Sequence, residues 1–104
     1  MKITITGRHF EISDQLKKRT ETKVKKLRKY LSRIQVIDVL LTQEKYRYQV
    51  EILVKADHFT AEAETENDDL QSALDNAVSK IERQLRRHKE KLIDKKHVKN
   101  PMKT

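Results

Sequence analysis

Residues 36–64 read VIDVLLTQEKYRYQVEILVKADHFTAEAE, and the fold class follows from the pattern of these residues. Within it, apolar and polar residues alternate in three runs, at 36–41, 48–54 and 59–64, as they do in strands that bury one face. A short turn around Ala56 and Asp57 joins the last two runs. The middle of the chain is therefore predicted to be a three-stranded meander.

The segments on either side of the meander complete the element order. Ile3 and Ile5 alternate with threonines, which predicts a strand over residues 2–6. Ser13 is a good helix N-cap, and the apolar spacing after it predicts an amphipathic helix over 14–32. A second, longer helix is predicted over 69–95, with its start marked by the polar run 67–69. The order is β-α-β-β-β-α.

Two helices with one apolar face each must cover the same side of the sheet. The predicted fold class is thus α+β, a two-layer sandwich in which a four-stranded sheet carries two helices on one face. The other sheet face is expected to be solvated and negative, with Asp38, Gln49, Glu51, Glu62 and Glu64. Residues 1–95 are predicted to form one domain, and residues 96–104 a flexible polar tail that contains the only proline.

The net charge of +8 is distributed unevenly along the 104 residues. Residues 17–33 hold nine cations against one acid, and residues 80–99 hold nine against three, whereas residues 34–79 hold three cations against ten acids. Both predicted helices are therefore basic and the sheet is acidic. Such polarity favours a polyanionic partner, and nucleic acid is the first candidate.

Helical spacing arranges the cations in two stripes. Steps of three and four residues place them on one face of each helix. The groove between the helices is predicted to receive phosphates, to which arginine gives paired contacts and lysine a point charge. The predicted nucleic-acid-binding residues are Lys23, Lys26, Lys29, Lys80, Arg83, Arg87 and Lys91.

Other kinds of site are disfavoured. Tyr48 and Phe59 fall on the predicted core faces and the open sheet face is acidic, so an aromatic platform for base stacking is not expected. The chain has no cysteine, and its four histidines have no close metal-ligand spacing. A single glycine excludes a phosphate-cradling glycine loop. We therefore predict no catalytic residue, metal or cofactor. The sequence also shows no signal peptide and no membrane-spanning run, which favours the cytoplasm.

Four motifs in order resemble the ribosome hibernation-promoting factors, of the ribosome-associated inhibitor A type. The resemblance covers residues 1–93, and one departure from the family pattern is Gln71, where many members have an aromatic residue; a second is the length. The motifs are Ile5–Ser13, the Lys26-Leu27 pair with Tyr30, Asp69–Asp75, and Lys80–Leu85 with His88-Lys89.

The resemblance implies a fold related to double-stranded RNA-binding domains, and a function. Family members bind 16S-type rRNA of the small ribosomal subunit, in the channel used by mRNA and tRNA. They hold intact, idle ribosomes inactive during stress or stationary phase, so translation is inhibited by occlusion and no enzyme activity is implied. The two cationic stripes match the family's rRNA-facing positions. The length resembles that of the short form, which implies a separate ribosome-dimerising factor as a further partner, or a truncated long form.

Two other functions stay open. A general double-stranded RNA-binding or RNA-chaperone module accounts for the same basic helices. An interaction protein that uses the acidic sheet face on a basic partner accounts for the charge of the middle segment.

Overall fold

The computed structural model describes the backbone of residues 1–31 and 33–97, and the side chains of that range up to residue 91. The predicted element order is confirmed, and the predicted fold class with it. The elements are β1 (Lys2–Arg8), α1 (Asp14–Lys25), a 3₁₀ segment (Lys26–Lys29), β2 (Ile34–Glu44), β3 (Arg47–Ala56), β4 (Phe59–Asn67) and α2 (Leu70–His97).

The four strands form one mixed sheet in the order β1-β2-β3-β4. β2, β3 and β4 are the predicted antiparallel meander. β1 lies parallel to β2, with Ile3 opposite Ile37 and Ile5 opposite Val39. Parallel neighbours need a crossover connection, and α1 provides it.

Two-residue turns close both hairpins of the meander. Lys45 and Tyr46 join β2 to β3, and Asp57 and His58 join β3 to β4. Lys45 and His58 adopt left-handed backbone conformations, with φ of 53° and 59°. One left-handed residue in each turn lets the chain reverse direction within two residues, which keeps the hairpins tight.

Each α-helix begins at a side-chain cap. Ser13 Oγ accepts a hydrogen bond from the Leu16 backbone N–H at 3.1 Å. At α2, the Asp69 carboxylate accepts from the hydroxyl and the backbone N–H of Ser72, at 2.7 Å and 3.0 Å. Because both bonds favour the ionised form, they lower the pKa of Asp69 below its usual value of 3.8.

The first helix differs from the predicted 14–32. The α-helix ends at Lys25, and residues 26–29 continue as the tighter 3₁₀ segment. Tightening of a last turn is common because it gives otherwise orphaned carbonyls a partner. At the C-terminal end of the chain, α2 continues to His97, two residues beyond the predicted domain boundary. The rest of the predicted tail, residues 98–104, lies outside the described residues.

The core lies between the inner sheet face and the two helices. Leu41, Val50 and Leu74 are among its fully buried members, and Leu27 of the 3₁₀ segment joins them. On the outer face, Thr4, Asp38, Leu40, Glu51, Leu53, Glu62 and Glu64 line a shallow concavity. The helices therefore cover one face only, and the uncovered face carries the predicted carboxylates.

Candidate nucleic-acid interface

The α2 stripe is exposed along its whole length. Lys80, Arg83, Arg87 and Lys91 all reach solvent. They lie on the side of α2 next to β4, where the Lys80 ammonium donates to the Glu64 carbonyl at 3.2 Å. Further along, Arg87 and Lys91 line a depression together with His58 and Phe59 of the second hairpin.

Gln84 fixes α2 against the outer edge of β4. Its side-chain carbonyl accepts from the Glu62 N–H at 3.1 Å, and its side-chain amide donates to the Glu62 C=O at 2.6 Å. One amide thus satisfies two backbone groups that an edge strand otherwise leaves open. Because the helix cannot rotate without losing both bonds, Arg83 and Arg87 are held at the surface.

The α1 stripe divides into two parts. Lys26 and Lys29 lie in the 3₁₀ segment, where residues three apart eclipse one another, and both are exposed. Lys23 is different, because its side chain is only 25% exposed and its ammonium contacts the carboxylate of Asp75. The same ammonium also donates to Gln71 Oε1 at 3.3 Å. Lys23 therefore connects the helices, while the other two cations face solvent.

Three charged side chains surround the Tyr30 ring after the 3₁₀ segment: Lys29, Glu82 and Arg86. The Tyr30 hydroxyl donates to Glu82 Oε2 at 3.0 Å. Arg86 and Lys29 lie over the Tyr30 ring, with their charged groups 5.8 Å and 5.1 Å from its centroid. Such cation–π contacts add to the bond.

The expected groove lined by both stripes is not formed, so this part of the prediction is wrong. The polar side chains of α2 that contact this part of the molecule are Gln71 and Asp75, which meet Lys23 of α1, and Glu82 and Arg86, which meet Tyr30 after the 3₁₀ segment. The α2 stripe lies on the other flank of the helix, beside β4. The reason is rotational: helical spacing shows which cations share a face, but the core and β4 contacts decide which way that face points.

Two exposed side chains, one on α2 and one in the first hairpin turn, were not among the predicted site residues. Arg86 falls outside the four-residue stripe, yet it lies where α2 meets α1. Tyr46 stands between two strand patterns and is 87% exposed. Its position in a short turn, between Lys45 and Arg47, could have indicated from the sequence that its ring is exposed. Tyr48 and Phe59 are half-buried, as their strand positions suggest, against Phe10 and His88 respectively.

The exposed cations of the helical layer can pair with anions, and other kinds of site are not found in the described residues. Among residues 1–31 and 33–91, no three histidine or acidic side chains are grouped so that they could hold a metal ion. No helix in the described part of the chain is long and apolar enough to cross a bilayer. What the arrangement offers is a helical layer with exposed cations on one side of the molecule and carboxylates on the opposite side.

Comparisons with known proteins agree on one family. A family model described as "Sigma 54 modulation protein / S30EA ribosomal protein" matches residues 3–93. The chain is 30% identical to a "Ribosome hibernation promoting factor" of Azotobacter vinelandii, over 97% of this chain and 94% of the relative. It is 35% identical to the protein of the same name in Salmonella typhimurium, over 88% and 97%.

Solved structures give the same result. A ribosomal subunit interface protein from Coxiella burnetii superposes with a TM-score of 0.80 at 30% identity, covering 86% of this chain and 99% of that one. The N-terminal domain of Thermus thermophilus Protein Y gives 0.78 at 30% identity, with coverages of 85% and 99%.

Proposed function

The chain belongs to the Sigma 54 modulation protein / S30EA ribosomal protein family, and we therefore propose that it binds ribosomes and holds them inactive. The names of its relatives support ribosome hibernation as the process. Because ribosomes are cytoplasmic, the cytoplasm is the proposed location. The proposed mechanism is binding alone, with no catalytic step, cofactor or metal.

The observation that carries the proposal is the one-sided distribution of charge. Six of the seven predicted cations are exposed on the helical layer, and the sheet face behind them is acidic. A surface of this kind attracts the phosphates of rRNA on one side only. We assign the contact with 16S-type rRNA to Lys26, Lys29, Lys80, Arg83, Arg87 and Lys91.

Lys23 has a separate role in this proposal. Its ammonium already has the Asp75 carboxylate and the Gln71 amide as partners, so an additional phosphate competes with both. We propose that Lys23 acts mainly by holding α1 and α2 in the relative position that presents the other six cations.

The finer proposal concerns where the protein binds. The family resemblance points to the small-subunit channel that mRNA and tRNA use, where a rigid basic body inhibits translation by occlusion. The described helix α2 supports this, since its 28 residues span about 42 Å and form a stiff cationic rod. Stress or stationary phase is the condition in which such inhibition is expected.

Sedimentation of ribosomes through a sucrose gradient, with and without the protein, tests the proposal. The protein should migrate with small subunits and intact ribosomes, and it should inhibit translation in a cell-free system. If it stays at the top of a low-salt gradient, the proposal is wrong. Competition with excess duplex RNA separates the proposal from a general double-stranded RNA-binding module, because only nonspecific binding is titrated away.

A further inference from the structure

The tip of the first hairpin presents an aromatic ring to solvent. Tyr46 is 87% exposed, and the only other large hydrophobic residue exposed among those described is Met1, at 48%. A two-residue turn leaves its central side chains no strand neighbour to pack on. Tyr46 therefore contributes nothing to the core, and its ring is available to a partner.

The base of this hairpin is braced. Glu44 and Arg47 form the last pair of the β2–β3 ladder. The Arg47 guanidinium donates to Glu66 Oε1 of β4 at 2.5 Å, and Tyr48 packs edge-on against Phe10, with ring centroids 6.1 Å apart. A ring on a rigid support loses little conformational freedom when it binds, and tyrosine has only two side-chain torsions to fix.

Local charge indicates which part of a nucleic acid the tip contacts. Lys45 and Arg47 are balanced by Glu44 and Glu66, so the tip has no net attraction for phosphate. Stacking of a base on an aromatic ring does not depend on such attraction, since every base has a π-face. The ring, rather than the flanking cations, is therefore the recognition element.

The tip is also far from the cationic end of α2. β3 has ten residues, so the turn at Tyr46 and the turn at His58 lie about 33 Å apart at the usual strand rise. Arg87 and Lys91 lie beside His58. A contact at Tyr46 thus involves a different stretch of RNA from the one that meets the end of the stripe.

We propose that Tyr46 is a second RNA contact, in which its ring stacks on an unpaired nucleobase of ribosomal RNA. This inference rests on the proposed function and adds base stacking to a surface that otherwise binds phosphates. Unpaired loop and bulge bases are the ligand class, because stacked duplex bases do not expose their faces.

Affinity for purified small ribosomal subunits, measured over a series of salt concentrations, tests the inference. Tyr46→Ala should weaken binding roughly 5- to 150-fold, the equivalent of about 1–3 kcal/mol per stacked base. The slope of log K against log salt should stay at the wild-type value, because no phosphate contact is removed. Tyr46→Phe should bind within about twofold of wild type, since the ring remains.

Tyr46→Leu and Tyr46→Trp distinguish stacking on a base from burial of the side chain in an apolar pocket. Leucine keeps an apolar side chain without a π-face and should bind as weakly as alanine. Wild-type affinity for Tyr46→Leu would indicate an apolar protein pocket and overturn the proposal.

Tyr46→Trp introduces the only tryptophan of the chain, and its fluorescence should be quenched when small subunits bind. Unquenched fluorescence in the bound state would equally contradict stacking.

The failure of this inference and that of the proposed function are distinguishable. If wild-type protein binds small subunits and Tyr46→Ala binds equally well, the tip is not a contact while the proposed function stands. If wild-type protein does not bind small subunits at all, both proposals are wrong.

Discussion

Tyr30 and Glu82 are joined across the two helices by a hydrogen bond of 3.0 Å from the phenol to the carboxylate. The bond connects the residue that follows the 3₁₀ segment to the middle of α2, fifty-two positions later in the sequence. Together with the contact of Lys23 with Asp75, it fixes the relative position of the helices at two points. The presentation of the exposed cations therefore depends on two contacts, Tyr30 with Glu82 and Lys23 with Asp75, which hold the helical layer together.

Removing the phenol hydroxyl is expected to lower stability without affecting the core. Tyr30→Phe keeps the ring under Arg86 and Lys29 but leaves Glu82 without its donor, at a cost of about 1 kcal/mol. Urea unfolding measures the change. Tyr46→Phe is the matched control, because that ring is exposed and should give wild-type stability. Equal effects of the two variants would contradict the assigned role of the Tyr30–Glu82 bond.

Two buried threonines are expected to respond oppositely to replacement by valine. Thr20 is fully buried in α1, and its hydroxyl has no hydrogen-bond partner among the described residues. Thr65 Oγ1 donates to the Ala73 carbonyl at 2.6 Å. Since valine has nearly the same shape, Thr20→Val should leave stability unchanged or raise it by up to about 1 kcal/mol. Thr65→Val should lower it by about 1 kcal/mol, because the buried hydrogen bond from β4 to the Ala73 carbonyl of α2 is lost. Equal unfolding midpoints for the two variants would contradict this.

The sequence predicted the fold well because period-two and helical patterns report which face of an element is buried. The meander and the cap at Ser13 are examples, and the family resemblance is confirmed by the match over residues 3–93. The change to a 3₁₀ segment at Lys26 was not predicted, since the end of a helix depends on its last carbonyls and not on apolar spacing. Gly7 shows a similar limit: a Cβ there would come within 2.6 Å of the Phe10 carbonyl, a local backbone contact after β1 that apolar periodicity does not indicate.

The site was less predictable than the fold because it depends on how the helices are oriented against the sheet and against each other. Spacing placed Arg83 and Arg87 on one face of α2, and both are exposed. It did not indicate that this face borders β4, because the orientation of the helix depends on the Gln84 bonds to Glu62 and on the core. The pairing of Lys23 with Asp75 likewise joins residues on different helices, beyond the reach of a helical pattern.

The cap of α2 predicts a dependence of stability on pH. The pKa of Asp69 is lower in the folded protein than its ordinary value of 3.8, because Ser72 donates two hydrogen bonds to the carboxylate. A depressed pKa stabilises the fold fully above the unfolded value, and this stabilisation is lost as the pH falls through the folded value. Asp69→Asn keeps a capping oxygen but removes the titration. The stability advantage of wild type over this variant should shrink below about pH 4, measured by urea unfolding at several pH values.

Asp68→Asn is the control for this experiment, since it makes the same change of charge one residue earlier. Its difference from wild type should not follow the same curve. A constant difference between wild type and Asp69→Asn from neutral pH down to pH 3 would show that the capping bonds do not depend on ionisation.

Reversing two charges of the α2 stripe tests whether position or total charge governs binding. Arg83→Glu combined with Arg87→Glu should leave the unfolding midpoint near that of wild type, because both side chains are exposed and make no ion pair among the described residues. Co-sedimentation with small ribosomal subunits should be abolished, since each carboxylate faces a phosphate that the guanidinium neutralised. Lys17→Glu combined with Lys18→Glu makes the same change of net charge at exposed positions in the first two turns of α1. That variant should still sediment with small subunits, although with reduced affinity at low salt.

The comparison of the two double variants distinguishes local contact from long-range attraction. If both lose binding equally, long-range attraction governs association and the α2 stripe has no special part in it. If only the α2 variant loses binding, the contact is local to Arg83 and Arg87.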